Sequence, residues 1–307
     1  MIRKSLLLLV VFPTILAAQY ERPGSATAQF LKIGISPRAT AMGDAFVSAV
    51  NGAEAAYYNS AALATLAGTD IVFQHNEWFS GINHDFAAIA RTISGAVGTV
   101  ALSMTALYTD EMRVRTPLQP DGTGETFYAG NYRLGLTYAR SITDRVHFGG
   151  TINYINMALY SNFNADAWAM DIGVLYTSNF RDFTFGMQIA NFGSDVTFVN
   201  EAYPLPTNFS FGLNINAFEQ SNNKLIFAAA ATKPNDGAPL AGIGLEYNLM
   251  DHYFLRAGYR LNHEVAKYAF GGGLKIDVIN YALKFDYSYT DFSLLGGSHR
   301  VGIGFGF

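Results

Sequence analysis

The sequence contains no cysteine, few prolines and few charged residues. Charged side chains make up 14% of the chain, against about 25% in an ordinary soluble domain. Without cysteine the protein can form no disulfide framework, thiolate metal site or thiol nucleophile. Its 20 basic and 24 acidic residues give a net charge of −4, which lacks the basic character of a nucleic-acid-binding protein.

Long hydrophobic runs are absent as well. Beyond the N-terminus no stretch reaches the roughly 18 apolar residues of a membrane-spanning helix, so a helical transporter is excluded. Yet 50% of the residues are hydrophobic, with 24 Phe, 18 Tyr and 30 Gly, which excludes intrinsic disorder. This combination favours a chain of many short strands, as a sandwich or a barrel.

Residues 1–18 are predicted to be a cleaved signal peptide. Arg3 and Lys4 precede an apolar run over residues 6–18 that ends in two alanines, and this run is too short for a membrane anchor. A buried core helix is the alternative. We therefore expect export from the cytoplasm, and the rest of the fold is considered from residue 19 onward.

The remaining sequence alternates with the period of two that is typical of β-strands. In residues 281–289 every odd position is aromatic or leucine, and the even positions are Ala, Lys, Asp and Ser. Such alternation gives each strand one apolar face and one small or polar face. About fourteen segments show it: 69–78, 82–92, 96–108, 127–140, 145–159, 165–178, 182–191, 206–217, 224–233, 240–249, 253–261, 266–276, 281–290 and 298–307.

An even number of strands about ten residues long predicts an all-β, antiparallel outer-membrane barrel. Long connections at 109–126 and 191–205 follow odd strands, whereas the connections at 141–144 and 277–280 are short and follow even strands. Long loops on one side and short turns on the other favour the barrel over a soluble sandwich. Lipid would then meet the apolar faces, and the lumen would hold a set of candidate charges: Arg133, Asp171, Glu246, Arg256, Lys284 and Asp286.

Residues 19–68 differ in composition and are predicted to form an N-terminal plug ahead of a barrel at 69–307. Eleven alanines lie between positions 39 and 67, which indicates one or two short helices with small side chains. A barrel of about fourteen strands is wider than side chains alone can fill, so this compact segment, just upstream of strand 1 on the periplasmic side, would occupy or narrow the lumen. A periplasmic lid is the alternative.

Three motifs in this segment carry a family resemblance. They are FLKIG at 30–34, PRATAMGDAFV at 37–47 and AYYNSAALA at 56–64. Together with HNEW at 75–78, LPT at 205–207 and GSHR at 297–300, they resemble the PorV/PorQ proteins, which are similar to the FadL long-chain fatty-acid channels. Ser60 and Ala62 depart from the family's usual Pro and Gly. By resemblance, the plug motif residues are Arg38, Gly43, Asp44 and Asn59.

The resemblance implies a function as well as a fold. It predicts a non-enzymatic accessory of type IX protein secretion or of surface attachment in the outer membrane of Gram-negative cells. Its partners would be lipid, translocon or attachment-complex proteins, and the C-terminal domains of secreted cargo. The alternative is a FadL-like channel for small hydrophobic molecules. An apolar pocket between residues 39–67 and the lumen wall would favour the channel.

Signals for chemistry are weak, and we predict no cofactor. The six histidines lack the spacing of metal ligands, although His75 and His84 on neighbouring strands leave a metal site conceivable. A lipid-modifying enzyme would need a clustered nucleophile and base. The candidate lumenal charges are mixed in sign, which indicates either internal pairing that holds the plug through Arg38 or Asp44, or a wet, nonspecific lumen.

Overall fold

The computed structural model describes residues 22–160 and 163–307, so the predicted signal peptide lies outside the described residues. Fourteen strands form one closed antiparallel barrel, and the predicted barrel is confirmed. The barrel strands are β1 Thr69–Glu77, β2 Ile82–Ser94, β3 Gly98–Thr109, β6 Gly130–Ser141, β7 Val146–Ala158, β8 Asn164–Thr177, β9 Thr184–Gly193, β12 Asn208–Gln220, β13 Asn223–Pro234, β14 Leu240–Leu249, β15 Tyr253–Leu261, β16 Tyr268–Val278, β17 Tyr281–Asp291 and β18 Gly297–Gly306.

The barrel closes through the first and last strands. β1 pairs with β18 in register from Asp70 opposite Gly306 to Glu77 opposite His299. Every barrel strand therefore has two neighbours. Closure leaves no unpaired strand edge, which is the condition for burying a sheet in lipid.

The two faces of the wall follow the predicted alternation. On β6, Leu136 is 58% exposed on the outside, and its neighbour Thr137 is fully buried on the inside. The outer face is a band of large apolar side chains, as contact with lipid requires. The inner face carries small, polar and charged side chains.

The two ends of the barrel differ. The end with residues 110–129 and 194–207 is called the loop end here. Each of these loops holds a two-stranded ribbon that the alternation does not predict: β4 Met112–Arg113 with β5 Thr126–Phe127, and β10 Val196–Phe198 with β11 Glu201–Tyr203. The opposite end, called the turn end, has short connections such as 142–145, 221–222 and 279–280.

Residues 26–66, the interior segment, run through the lumen as short helical turns. They comprise α1 Pro37–Ala41, α2 Ala55–Tyr58 and 3-10 turns at Gln29–Lys32, Gly52–Glu54 and Ser60–Thr65. Their alanines form the core of the molecule with Phe46, Leu63 and wall residues such as Phe86. In the described part of the chain, no helix combines the length and apolar character needed to cross a bilayer.

Candidate functional site

The interior segment begins at the loop end. The Thr27 amide donates to the Pro204 carbonyl at 3.0 Å. Lys32 forms an ion pair with Asp236 at 2.9 Å, in the loop between β13 and β14. Phe30 and Leu31 pack with loop residue Leu205. The segment therefore crosses the lumen from the loop end before it joins β1 at the turn end.

Helix α1 fits the wall because of its sequence. Ser36 caps it by accepting a hydrogen bond from the Ala39 amide at 3.3 Å, and Pro37 occupies the first turn, where a missing N–H costs nothing. The helix ends ahead of Gly43, whose φ of +65° is left-handed. A side chain on Gly43 would meet the Tyr259 amide nitrogen at 2.8 Å and the Ile243 carbonyl oxygen at 2.9 Å. The interior segment thus touches the wall backbone here.

A second contact lies across the lumen, at Asn59. Its amide group donates to the Val47 carbonyl at 2.9 Å and to the Val174 carbonyl of β8 at 3.2 Å. Its side-chain oxygen accepts from the Ala61 amide at 3.2 Å and so caps the following turn. Asn59 is fully buried. This side chain therefore joins two parts of the interior segment to the wall.

Ion pairs connect the interior segment to one side of the wall. Arg38 makes a forked contact with Glu246, with Nε to Oε2 at 2.7 Å and Nη2 to Oε1 at 2.8 Å. Glu246 also accepts from Arg256 at 2.6 Å, and Arg256 reaches Asp286. Burial acts to lower the pKa of Arg38, but its carboxylate neighbours, Glu246 first, outweigh burial and raise the pKa above its ordinary value. The four side chains form a chain of alternating charge.

The other predicted charges lie in separate groups. Arg133 and Asp171 pair at 2.6 Å, and Asn153 donates to the same carboxylate at 2.8 Å. The second Asp171 oxygen accepts from the Asn191 amide at 2.7 Å. Lys284 lies 3.6 Å from Asp70. The structure therefore brings Glu246, Arg256 and Asp286 together and keeps Arg133 with Asp171 elsewhere.

Asp44 also meets the wall, through an ion pair with Arg260 at 2.7 Å. These distances show where the plug motif residues and lumenal charges lie and what they contact. Their functional roles, and the division at residues 18 and 68, stay predictions.

Several structural contacts have no signal in the sequence. The Tyr58 hydroxyl accepts from the Ile35 and Ser36 amides at 2.9 and 3.0 Å, and the Tyr57 hydroxyl lies 2.9 Å from the Leu31 carbonyl oxygen. Burial raises the pKa of Tyr57 to about 12, so its phenol stays neutral. Asp236 was also missed. A residue 204 positions from its partner Lys32 can be recognised only once the fold is known.

Glu54 is a half-buried carboxyl of the interior segment. It accepts a hydrogen bond from Gln74 at 2.6 Å. Burial, and then the charge of Asp286, raise the pKa of Glu54 to about 7, although Arg38 and Lys284 act in the opposite direction. The folded protein therefore holds a proton on Glu54 at a pH where the unfolded chain has lost it.

We expect Glu54→Gln to flatten the dependence of stability on pH. With its folded pKa raised from 4.5 to about 7, Glu54 makes the folded state bind more protons than the unfolded state in this window. Stability should therefore fall as the pH rises from about 4.5 to about 7. Melting temperatures of the detergent-solubilised wild type and variant, measured across this window, test the expectation. Glu125→Gln, in an exposed loop, is the control, and a slope in Glu54→Gln equal to that of the wild type would contradict the argument.

A cavity of about 340 Å³ lies between the interior segment and the wall, toward the loop end. The interior segment contributes Leu31, Val47, Tyr57 and Tyr58, and the wall contributes mainly small and polar side chains from β9 and β12–β15. Lys32 and Asp44 also line it from the interior segment, so the inner side combines apolar and aromatic surface with two charged groups. This cavity is called the upper cavity.

The polar groups around the upper cavity are largely paired. Lys32, Asp44, Arg133 and Arg260 line it, and each has an oppositely charged partner. Burial, and then the charge of Arg260, lower the pKa of His263 below its ordinary value, which favours a neutral imidazole at pH 7. The charges at this cavity are therefore mostly compensated.

A second cavity, of about 670 Å³, opens at the turn end and is called the lower cavity. Arg38 and Glu54 line it from the interior segment, and charged residues of β1 and β14–β17 line it from the wall. Turn residues Asn222 and His252 also border it. The Arg38–Glu246 pair therefore lies on the border of the lower cavity, on the opposite side of α1 from the upper one.

The histidines do not form a metal site. His75 faces outward and bonds to Asp85 at 2.6 Å, while His84 faces the lumen and is buried. Their one-residue difference in register places them on opposite faces of the wall. Within residues 22–160 and 163–307, no three His, Asp or Glu side chains are grouped as a metal site requires.

No family model and no curated protein matches the sequence. The fold is similar to that of the CymD monoaromatic hydrocarbon channel, with a TM-score of 0.55 at 12% identity over 89% of this chain and 98% of that chain. It is also similar to that of the Pseudomonas putida toluene transporter TodX, with a TM-score of 0.57 at 12% identity over 89% of this chain and 97% of that chain. A Pseudomonas aeruginosa FadL homologue has a similar fold as well, with a TM-score of 0.54 at 10% identity over 89% of this chain and 98% of that chain.

The likeness establishes a FadL-like fold and corrects the expected function. The prediction of a PorV/PorQ-like accessory of type IX secretion is wrong: the structures that share this fold are hydrocarbon channels, toluene transporters and a FadL homologue. The PorV/PorQ resemblance and its secretion partners are therefore unsupported. The physical reason lies in the motif residues. Arg38, Gly43 and Asn59 lie inside the lumen against the wall, so their pattern reports how a barrel is filled and says nothing about secreted cargo.

Proposed function

We propose that this protein is a non-enzymatic, FadL-like channel of the outer membrane that admits small hydrophobic molecules. The upper cavity between the interior segment and the wall is the observation that carries the proposal. Among the proteins with a similar fold, CymD is a monoaromatic hydrocarbon channel and TodX is a toluene transporter. The apolar outer band and the even strand number support placement in an outer membrane.

The size and position of the upper cavity suit a small ligand. Its volume of about 340 Å³ lies at the lower end of the range of ligand pockets, which are mostly apolar with a few polar groups. Leu31, Val47 and the rings of Tyr57 and Tyr58 supply the apolar side. The cavity lies toward the loop end, where a molecule would arrive from outside the cell.

The interior segment acts as the plug of this channel. Its short helices are anchored by ion pairs and by close contacts of small residues. Such contacts can shift together without breaking the barrel, whose strands are paired independently of them. The plug would thus separate the upper cavity from the lower cavity at rest and shift when a molecule passes.

We expect Ala230→Trp to block uptake. Ala230 lines the upper cavity on β13, and an indole there would occupy much of the space. Its neighbour Ala229 pairs with the outward-facing Leu213 and Ile243, so Ala229→Trp adds the same ring on the lipid side and serves as the control. Uptake of radiolabelled toluene by Gram-negative cells producing each variant, at matched folded yield, is the measurement.

The result separates the channel from a closed barrel. Wild type and Ala229→Trp should take up toluene several-fold faster than cells without the protein, and Ala230→Trp should not. A long-chain fatty acid is the second probe. Uptake of the fatty acid but not of toluene would indicate a channel for longer apolar molecules. Wild-type cells that take up neither probe faster than cells without the protein would overturn the proposal. Uptake by Ala230→Trp at the wild-type rate would show that transported molecules do not pass through the upper cavity.

A further inference from the structure

Buried polar atoms without partners gather on the lumenal face of four strands around the β1–β18 closure. On β1 and β2 they are Gln74 Oε1, Asn76 Nδ2 and both ring nitrogens of His84; on β17 and β18 they are Ser288 Oγ, Thr290 Oγ1 and Arg300 Nη1. Each of these side chains belongs to a residue that is at most 2% exposed. Since buried polar groups are nearly always satisfied, so many unpaired atoms in one place need a cause.

The strand register makes these residues neighbours. Asn76 lies opposite His84 on β2 and opposite Arg300 on β18. Arg300 lies opposite Ser288 on β17. Thr290 is opposite Ser298, whose hydroxyl donates to the Asn76 side-chain oxygen at 2.7 Å. That bond leaves the Asn76 amide nitrogen directed elsewhere, as a free donor.

Arg300 sets this cluster apart from the other buried cations. Arg133, Arg256 and Arg260 each form an ion pair with a carboxylate. Within the described ranges, Arg300 has no carboxylate within 4.0 Å. Its Nε donates to the Gly34 carbonyl at 3.4 Å, and its guanidinium lies 5.4 Å from the Trp78 ring centre. The carboxylate of Asp44 forms an ion pair with Arg260 and does not pair with Arg300.

The hydrogen-bonding chemistry of the unpaired atoms indicates which kind of ligand they would bind. Arg300 Nη1 and Asn76 Nδ2 can only donate hydrogen bonds, and the Ser288 and Thr290 hydroxyls and one His84 nitrogen can donate as well. A water molecule could satisfy some of these atoms, but it would leave the guanidinium charge uncompensated in a buried site. An anion beside Arg300 neutralises its charge and accepts from the donors on the neighbouring strands, Asn76 and Ser288.

The surroundings limit the size of the anion. The interior segment covers the cluster from the lumen through the Gly34 carbonyl. Toward the loop end, Trp78, Phe79 and Phe292 pack against one another, with Trp78–Phe292 ring centres 5.2 Å apart. Because its side chains are almost fully buried, only an ion of one or a few atoms suits the cluster, and a lipid headgroup does not.

We propose that Arg300, together with Asn76 and Ser288 on the two strands beside it, binds one small inorganic anion of the size of chloride. Because Arg300 also contacts Gly34 of the interior segment, the bound anion holds this part of the segment against β18. The site is separate from the upper cavity and does not depend on transport of hydrophobic molecules.

Chloride dependence of stability tests the site. The full-length protein in detergent is melted over a chloride series in which gluconate keeps the ionic strength constant. Selective binding to the folded state predicts a melting temperature that rises and saturates with chloride. Arg300→Met should abolish the rise, and Arg91→Met, which removes an exposed arginine of β2, should retain it. Ser288→Ala, which removes one donor, should raise the half-saturating chloride concentration about tenfold.

Bromide gives an independent position for the ion. Crystals of the wild-type protein soaked in bromide should show one anomalous peak within hydrogen-bonding distance of Arg300 Nη1, and crystals of Arg300→Met should not. Equal melting temperatures of the wild type in chloride and gluconate would overturn the proposal. So would electron density for water alone at Arg300, or a bromide peak there only at molar concentration. If Arg300→Met fails to fold, Ser288→Ala alone decides through its half-saturating concentration.

Discussion

Replacing Glu246 with glutamine is expected to lower the free energy of unfolding by about 3–5 kcal/mol. Glu246 is 2% exposed and accepts hydrogen bonds from Arg38 and Arg256. Glutamine keeps the shape and removes the charge, so Arg38 loses the carboxylate that faces it and Arg256 keeps only Asp286. Removing one partner of a buried ion pair is costly because it leaves uncompensated charge behind.

The same variant should loosen the interior segment more than the barrel. Arg38 is the member of the network that belongs to the segment, and Glu246 connects it to β14. We expect urea to unfold Glu246→Gln at a lower concentration in detergent or lipid vesicles. We also expect trypsin to cleave at Arg38 in the variant, because the displaced segment exposes a bond that the wild type buries.

Glu219→Gln is the matched control. Glu219 pairs with Lys224 at 2.8 Å at the turn end, with nearly half of its side chain exposed, and such exposed pairs contribute little to stability. Equal losses of stability in the two variants would refute the view that the buried network anchors the segment. If Glu246→Gln is destabilised but trypsin still does not cleave at Arg38, the ion-pair network stabilises the barrel and does not hold the interior segment in place.

Arginine at Leu213 is expected to destabilise the barrel by about 2–4 kcal/mol. Leu213 lies near the middle of β12 and is 37% exposed on the outer face. In a bilayer this position meets hydrocarbon, where a guanidinium group loses its hydration. The next residue, Asn214, faces the lumen, so Asn214→Arg places the same side chain one position away in a polar surrounding.

Reversible unfolding in lipid vesicles measures both variants under the same conditions. We expect Leu213→Arg to lower the free energy of unfolding by at least about 1 kcal/mol more than Asn214→Arg does. Equal tolerance of arginine at the two positions would mean that the outer face does not meet lipid. In that case the band of exposed apolar side chains would need another explanation.

Much of the barrel follows from local sequence patterns. The predicted strands at 240–249 and 253–261 match β14 and β15, and the other boundaries differ by at most three residues. The two ribbons of the long loops were missed, since strands of two or three residues show no measurable alternation. His75 and His84 had left a metal site conceivable because they lie on neighbouring strands, and the register of β1 and β2 places them on opposite faces.

The interior is less predictable. The alanine-rich composition of residues 39–67 correctly indicated short helices, as α1 and α2 show. The direction in which the segment crosses the lumen has no signal in the sequence, because it depends on contacts such as Thr27 with Pro204. Mixed charges in the lumen indicated two alternatives, pairing or a wet pore. Which acid meets which base depends on the register of strands far apart in the chain.

The sequence by itself determined the fourteen strands, which face of each meets lipid, and which connections are long. It did so because side chains of a strand alternate between faces, and because a bilayer accepts only apolar ones on the outside. Only the tertiary structure decided the Arg38–Glu246 link, the upper cavity and the unpaired donors around Arg300. These features join residues as far as 266 positions apart, and their proximity arises only when the barrel closes around the interior segment.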